Sequence, residues 1–199
     1  MPVFESSGLV RDIVLVLHFG VVFYTVLFAA VLIGRWVRDP KRALFDIRFA
    51  WGIFLSGMCL NTISFAIGDF YFNMAPMHIL WIKAGYVAMI LALVAFYFAM
   101  ERVLPYPTHH AFSISGIIIA ALIIVSPSHL MVYLALTMTL ITLLGIVLFF
   151  VHSRGGTTGE VRRDINRMTI GFLVAIIGFM GRADFVYYSI SEFVYLAGA

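Results

Sequence analysis

Long apolar runs separated by short polar segments restrict the fold of this chain more than any other feature of its sequence. A helix needs about 20 apolar residues to cross the hydrocarbon core of a bilayer. Of the 199 residues, 63% are hydrophobic and 12% are charged, whereas soluble domains average about 25% charged residues. A soluble fold of this size would leave much apolar surface uncovered. The pattern therefore predicts a polytopic α-helical integral membrane protein.

The apolar runs and the helix-start signals predict an all-α transmembrane bundle of six spans. Asp39-Pro40 and Ser126-Pro127 each place a capping residue before a proline at the first helical position, and Thr157 with Glu160 forms a capping-box pattern. Residues 184–199 are short for a span, so we interpret them as a C-terminal helical segment, with a seventh span as the alternative. The predicted spans are 9–34, 43–68, 76–100, 111–125, 127–151 and 161–182.

The distribution of basic residues predicts the orientation of these spans. Cytoplasmic loops of membrane proteins are enriched in Lys and Arg. Segments 69–75 and 126–129 contain neither residue type, so they are assigned to the extracytoplasmic side together with the N-terminus. The residues that define the predicted cytoplasmic side are Arg35, Arg38, Lys41, Arg42, Arg48, Arg102, Arg154, Arg162, Arg163 and Arg167.

Small residues recur at helical spacing in spans two, three and six, and the stripes of spans three and six are the candidate packing surfaces. Such residues let helix backbones approach closely, which drives helix association in lipid. We interpret both stripes as packing surfaces within the bundle, with docking of a partner protein as the alternative. The stripes consist of Gly85, Ala88 and Ala92 in span three, and of Gly171, Ala175 and Gly178 in span six.

Several ionisable residues lie in or beside the spans, where a charge costs at least about 2.5–3.5 kcal/mol on insertion scales. One hypothesis is an outward-facing pocket in which Lys83 pairs with Asp69 or Asp184, and a ligand or a proton competes for that pair. The structural alternative is that Lys83 extends to the membrane interface. The predicted orientation places all of these groups in the extracytoplasmic half, namely His18, Asp69, His78, Lys83, Arg182 and Asp184.

The sequence contains no pattern that specifies catalysis, a metal site or a nucleic-acid interface. A nucleophile elbow, a phosphate loop and the spacing of a zinc site are all absent from it. Bis-histidine haem needs two ligands at matching depth, and His18 is the one histidine well within a predicted span. We therefore predict no catalytic residue, no metal and no cofactor, with haem or a pigment as the alternative. The net charge of +3 is explained by cytoplasmic loops, so no nucleic-acid partner is expected.

Four short segments in spans two and three share a pattern of apolar spacing around a tryptophan. They are 48–51 (RFAW), 64–67 (SFAI), 80–86 (LWIKAGY) and 96–101 (FYFAME). This pattern resembles the seven-helix membrane sensor regions of prokaryotic histidine kinases and related multi-span archaeal membrane proteins. The resemblance implies a seven-helix fold and a location in the plasma membrane of a prokaryote. The chain departs from that family because no kinase or other output domain is found within its 199 residues.

Four hypotheses for function follow from these features. The first is a non-catalytic subunit or accessory protein of a larger membrane complex, in contact with the lipid bilayer and with other membrane protein subunits. The second is a membrane sensor or receptor module with an extracytoplasmic polar pocket. The third is a small transporter or channel, and the fourth is an enzyme that acts on lipid. We prefer the first because it accounts for the short loops, the small-residue stripes and the lack of catalytic motifs.

Overall fold

The computed structural model describes residues 8–40, 46–72, 75–103, 109–156 and 158–181. Within these ranges every regular element is a helix and there is no strand, which confirms the all-α part of the predicted fold class. Arg182 and the segment 184–199, which includes Asp184, lie outside the described residues. The helices, in chain order, are α1 (Leu9–Arg38), α2 (Ile47–Phe70), α3 (Ala75–Val103), α4 (Ala111–Val125), α5 (Ser128–Gly155) and α6 (Gly159–Gly181).

Three of these helices are long and apolar enough to cross a membrane. The qualifying segments are Arg11–Arg38 in α1, Arg48–Phe70 in α2 and Pro76–Arg102 in α3. Helix α4 has 15 residues, which corresponds to about 22 Å at 1.5 Å per residue. That length is less than the ~30 Å thickness of a hydrocarbon core, so α4 is not among the three candidate spans.

The second helix begins later than its sequence signals predict. Asp39 and Pro40 predict a helix start at residue 40, but Asp39 is the C-cap of α1. Helix α2 starts after Asp46, whose carboxylate accepts a hydrogen bond from the backbone N–H of Arg48 at 2.8 Å. The first N–H groups of a helix have no carbonyl partner within it, and an acidic N-cap satisfies one of them. Asp46 therefore sets the start of α2.

Helices α2 and α3 approach each other closely along a line of small residues. A Cβ atom at Gly57 would lie 2.1 Å from the Cβ of Ala92 and 3.1 Å from the carbonyl oxygen of Ala88. A Cβ atom at Gly85 would lie 2.7 Å from the ring of Phe65. The structure therefore places the predicted stripe of α3 against α2, and the absence of side chains at both glycines permits the contact.

The predicted stripe of α6 has a different setting. A Cβ atom at Gly171 would have no neighbouring atom within 4 Å among the residues that the structure describes. Gly171 is also exposed, so it does not mediate a close helix contact within the described chain. The surroundings of Ala175 and Gly178 fall outside the described side chains.

Aromatic rings connect successive helices from α1 to α4. Trp36 lies near the end of α1 and stacks on a ring near the start of α2, so these two helices run antiparallel. Aromatic pairs of this kind contribute about 0.5–1.5 kcal/mol beyond the area that they bury. The ring pairs are Trp36–Phe49 at 4.4 Å between α1 and α2, Trp51–Phe96 at 4.9 Å between α2 and α3, and Tyr97–Phe112 at 5.6 Å between α3 and α4.

The chain divides into two compact units, residues 1–135 and 136–199. The first contains α1 to α4 and the start of α5, and it holds most of the buried aromatic side chains. The second contains the rest of α5 together with α6. In the second unit the hydroxyl of Thr142 donates to the carbonyl oxygen of Met138 at 2.7 Å, and both residues are buried. A hydroxyl that bonds within its own helix can be buried without an unsatisfied donor.

We expect Gly57→Ala to destabilise the protein by about 1–3 kcal/mol, because the added methyl group displaces the backbone of α3. Gly20→Ala is the matched control, since a Cβ atom at Gly20 would meet no atom of the described residues within 4 Å. The control should be neutral or stabilising by up to about 1 kcal/mol, as is usual for alanine in place of glycine in a helix. Unfolding in detergent micelles, followed by tryptophan fluorescence, measures both changes. Equal effects of the two substitutions would contradict the close α2–α3 contact.

Candidate functional site

Most charged side chains of the first unit lie towards its two ends, whereas the buried polar side chains Thr25, Asn61, Thr62 and Ser64 lie between them. We call one end the His78 end, where α1 and α3 begin and α2 and α4 terminate. We call the other the Glu101 end, where α1 and α3 terminate and α2 and α4 begin. Consecutive antiparallel helices place a helix N-terminus beside a neighbouring C-terminus, so each end presents both unsatisfied N–H groups and unsatisfied carbonyl groups.

At the His78 end, two basic side chains bind the last carbonyl groups of α2. The ring Nδ1 of His78 lies 2.9 Å from the carbonyl oxygen of Gly68, and His78 is buried. The guanidinium of Arg11, from α1, donates to the carbonyl oxygen of Phe70 at 3.4 Å and also lies over its ring, 5.5 Å from the centroid. Helices on both sides of α2 therefore cap its C-terminus.

Asp69 lies beside the same carbonyl groups. One of its carboxylate oxygens is 3.9 Å from Nδ1 of His78, and the side chains of the two residues are only 10% and 6% exposed. Because a carbonyl oxygen accepts but does not donate, the hydrogen bond to Gly68 requires a proton on Nδ1 of His78. The nearby Asp69 carboxylate favours the same tautomer, in which Nδ1 carries the proton. The Asp69 carboxylate, the His78 ring and the Gly68 carbonyl group thus form a structural cap at the end of α2.

Lys83 binds backbone carbonyl groups at the end of a helix, whereas the pocket hypothesis requires it to bind a carboxylate. Its ammonium group donates to the carbonyl oxygen of Ile124 at 3.1 Å and to that of Ser126 at 2.5 Å. Both carbonyl groups belong to the C-terminus of α4, where the helix dipole favours a cation. The predicted pair with Asp69 is replaced by this cap, because the α4 terminus supplies acceptors that have no partner within their own helix.

His18 is buried at the same end but bonds within its own helix. Its Nδ1 lies 2.7 Å from the carbonyl oxygen of Val14, and its ring packs edge-on against Phe70 at 5.9 Å between centroids. His18 and His78 therefore both approach the last turn of α2, from α1 and α3 respectively. Among the described residues, no group of three or more histidine, cysteine or acidic side chains is arranged to hold a metal ion.

At the Glu101 end, a buried carboxylate caps the start of α4. Glu101 accepts hydrogen bonds from the backbone N–H of Phe112 at 2.9 Å and from the hydroxyl of Ser113 at 2.6 Å. Its side chain is 2% exposed. A carboxylate at a helix N-terminus satisfies free N–H groups and interacts favourably with the helix dipole. Sequence analysis did not select Glu101, although an acidic residue at the end of an apolar span is the signal that could have identified it.

Two histidines form the turn that brings α4 to Glu101. His109 and His110 have φ angles of 50° and 60°, in the left-handed region that L side chains seldom adopt. Nδ1 of His110 lies 3.6 Å from the Glu101 carboxylate, and its ring stacks on Phe98 at 4.9 Å. Arg102 lies over the same Phe98 ring, also at 4.9 Å. These contacts stabilise a backbone conformation that would otherwise cost about 1–3 kcal/mol per residue.

The start of α2 carries an ion-pair cluster at the same end. Arg48 contacts the carboxylates of Asp39 and Asp46, each at 2.7 Å. Hydrogen bonds from the Arg48 side chain and backbone, together with its positive charge, hold the pKa of the Asp46 carboxyl below its ordinary value. The cluster connects the end of α1 to the start of α2.

Comparisons with protein-family models, curated proteins and solved structures find no match to this chain. The resemblance to membrane sensor regions therefore stays a prediction. The assignment of function depends on the geometry of the chain itself. That geometry brings His18, Asp69 and His78 to the end of α2 and directs Lys83 to α4.

We expect the caps at the two ends of α4 to contribute separately to stability. Glu101→Ala should destabilise the protein by about 1–3 kcal/mol, because the Phe112 N–H and the Ser113 hydroxyl lose their acceptor. Lys83→Met should cost about 0.3–2 kcal/mol through the loss of a cation at the C-terminus. Thermal unfolding in detergent of both single variants and of the double variant measures these terms.

Ser115→Ala is the control for this experiment, because the Ser115 hydroxyl bonds within its own helix, to the carbonyl oxygen of Phe112 at 2.8 Å. We expect little change from it. A Glu101→Ala effect no larger than that of the control would show that the buried carboxylate is not a cap. The two single effects should add in the double variant, since the contacts lie at opposite ends of α4.

Proposed function

We propose that this chain is a multi-pass integral membrane protein that serves as a non-catalytic subunit of a larger membrane complex. In this proposal each of the helices α1 to α6 spans the plasma membrane of a prokaryotic cell. The N-terminus and the His78 end are extracytoplasmic, and the Glu101 end is cytoplasmic. Its partners are the lipid bilayer and other membrane protein subunits.

The exposed surface of α1 supports a location in lipid. Val16, Phe19 and Phe23 are 68%, 65% and 64% exposed, respectively. Contiguous apolar surface of this kind makes a water-soluble protein aggregate, whereas lipid chains are as apolar as the side chains themselves. The caps at the helix ends support the same location, because backbone groups in a bilayer need partners within the protein.

Labelling of single cysteines tests the proposed orientation. Cys59 is buried and is the sole cysteine in the sequence, so Cys59→Ala provides a background without reactive thiols. We expect Tyr71→Cys and Pro127→Cys to react with a membrane-impermeant maleimide in intact cells. Pro40→Cys and Gly156→Cys should react only after lysis. A single position that labels from the opposite side would contradict six spans in the proposed orientation.

One hydroxyl group carries the argument for a partner subunit. Tyr24 lies at the middle of α1 and is 59% exposed. Tyrosine in membrane proteins concentrates at the interfaces, where water reaches its hydroxyl. At the centre of a bilayer neither lipid chains nor water offers an acceptor, and an unsatisfied polar group there costs several kcal/mol. A helix from another chain that covers Tyr24 and presents an acceptor would satisfy this hydroxyl.

The rings beside Tyr24 define the extent of this surface. Phe23 contacts the Tyr24 ring edge-on at 5.5 Å, and Phe28 stacks on it at 6.4 Å. All three side chains are more than half exposed. Aromatic side chains are enriched in protein interfaces and dominate their binding energies. His78 and Lys83 bind helix termini within the chain, whereas Tyr24 is more than half exposed, which is why we place the partner contact on α1.

We expect the native particle, solubilised gently and weighed by native mass spectrometry, to contain at least one additional chain. Tyr24→Phe should weaken retention of that chain by about 3–30-fold, the range that corresponds to one hydrogen bond between membrane helices. Tyr71→Phe is the matched control, because Tyr71 is 76% exposed but lies at the end of α2. A particle with the mass of a monomer or a homodimer under all gentle conditions would contradict the proposal.

A further inference from the structure

The end of α1 carries two exposed arginines whose charge is not neutralised locally. Arg35 and Arg38 occupy the last turn of α1 and are both exposed. The acidic residues nearest in sequence, Asp39 and Asp46, both bind Arg48 at 2.7 Å. Within the part of the chain that the structure describes, neither Arg35 nor Arg38 forms an ion pair. The ion-pair cluster on Arg48 thus leaves a local excess of positive charge beside it.

An apolar strip leads directly to these arginines along the outside of α1. Leu27 and Val31 are 46% and 43% exposed, and no atom of the described residues lies within 4 Å of the Cβ position at Gly34. At about 100° per residue, these three residues and the two arginines share roughly a quarter to a third of the helix circumference. The opposite side of α1 faces α2, where Ile33 packs against Gly52. We call this set of five residues the Arg35 strip.

The dimensions of the Arg35 strip match one leaflet of a bilayer. Leu27 and Arg38 lie about 16 Å apart along the helix axis at 1.5 Å per residue. Half of a hydrocarbon core is about 15 Å thick. A phospholipid with its phosphate beside the arginines therefore has acyl chains at the depth of Val31 and Leu27. The open backbone at Gly34 lies between these levels, where the glycerol region of the lipid is found.

We infer that the Arg35 strip binds an anionic phospholipid, with the phosphate beside Arg35 and Arg38 and the acyl chains along Val31 and Leu27. The inference rests on the proposed membrane location and adds a specific ligand class to it. An acidic protein segment would satisfy the arginines equally well, but it would not account for a continuous apolar strip of leaflet length. Anionic lipids are concentrated in the cytoplasmic leaflet, which is where the proposed orientation places the two arginines.

Native mass spectrometry of the full chain tests this inference. The protein, purified in mild detergent, is mixed with equal amounts of phosphatidylglycerol and phosphatidylcholine, and the bound lipids are counted. We expect a preference for phosphatidylglycerol that falls about fivefold in Arg35→Gln or Arg38→Gln and about 30-fold in the double variant. The Arg35→Lys/Arg38→Lys variant should retain the preference, because the charge is kept. Gly34→Leu should lower the retention of both lipids by filling the open backbone.

Arg102→Gln is the matched control, because Arg102 is also an exposed arginine at a helix C-terminus, although it lies over Phe98. We expect it to leave the lipid preference unchanged. Equal retention of the two lipids by the wild type, or an equal loss of preference in the control, would overturn the inference. Displacement of phosphatidylglycerol by a polyglutamate peptide would overturn it in favour of an acidic protein segment.

Extraction of native membranes with alkaline carbonate separates this result from a failure of the proposed function. Release of the chain into the soluble fraction would refute the membrane location itself. Retention in the membrane, combined with no lipid preference, would refute only the Arg35 strip. Retention combined with a preference that depends on Arg35 and Arg38 supports both.

Discussion

The backbone groups at a helix end have no partner within that helix, and the rest of this structure depends on how they are satisfied. In the first unit, the neighbouring helix supplies the partner. Arg11 and His78 bind the final carbonyl groups of α2, and Lys83 binds those of α4. Glu101 accepts a hydrogen bond from the backbone N–H of Phe112 in the first turn of α4. For Arg11, Lys83 and Glu101, the sign of the charge is the one that the helix dipole favours at that terminus.

Helix α3 determines how α4 is held, because it supplies the partners for both of its ends. Lys83 and Glu101 lie about 27 Å apart along α3 at 1.5 Å per residue, whereas α4 is about 22 Å long. The extended lysine side chain spans the difference. A helix too short to reach both interfaces of a bilayer would expose its terminal groups to hydrocarbon. In the proposed membrane location, the two charged side chains of α3 would remove that penalty for the 15-residue helix α4.

The helices and the α3 stripe could be predicted from sequence because both follow from local periodicity. Gly85 contacts Phe65 of α2, as its small size suggested. The partners of Lys83 and Glu101 could not be predicted, because they depend on which helix end lies beside each side chain. The contact of Glu101 with Ser113 further requires left-handed backbone at His109 and His110, and histidine is not a residue whose presence signals that conformation.

Helix α1 has two unusual features, the exposed Tyr24 at its middle and the Arg35 strip at its end. A polar group that is neither bonded within the chain nor exposed to water must find its partner in the surroundings, and the surroundings of a membrane protein change with depth. In the proposed membrane location, lipid would supply negative charge at the depth of Arg35 and Arg38, but it would supply no hydrogen-bond acceptor at the depth of Tyr24. The two features of α1 therefore call for different neighbours. Under the two proposals, a phospholipid would bind at the end of the helix, and a helix of a partner protein would cover its middle.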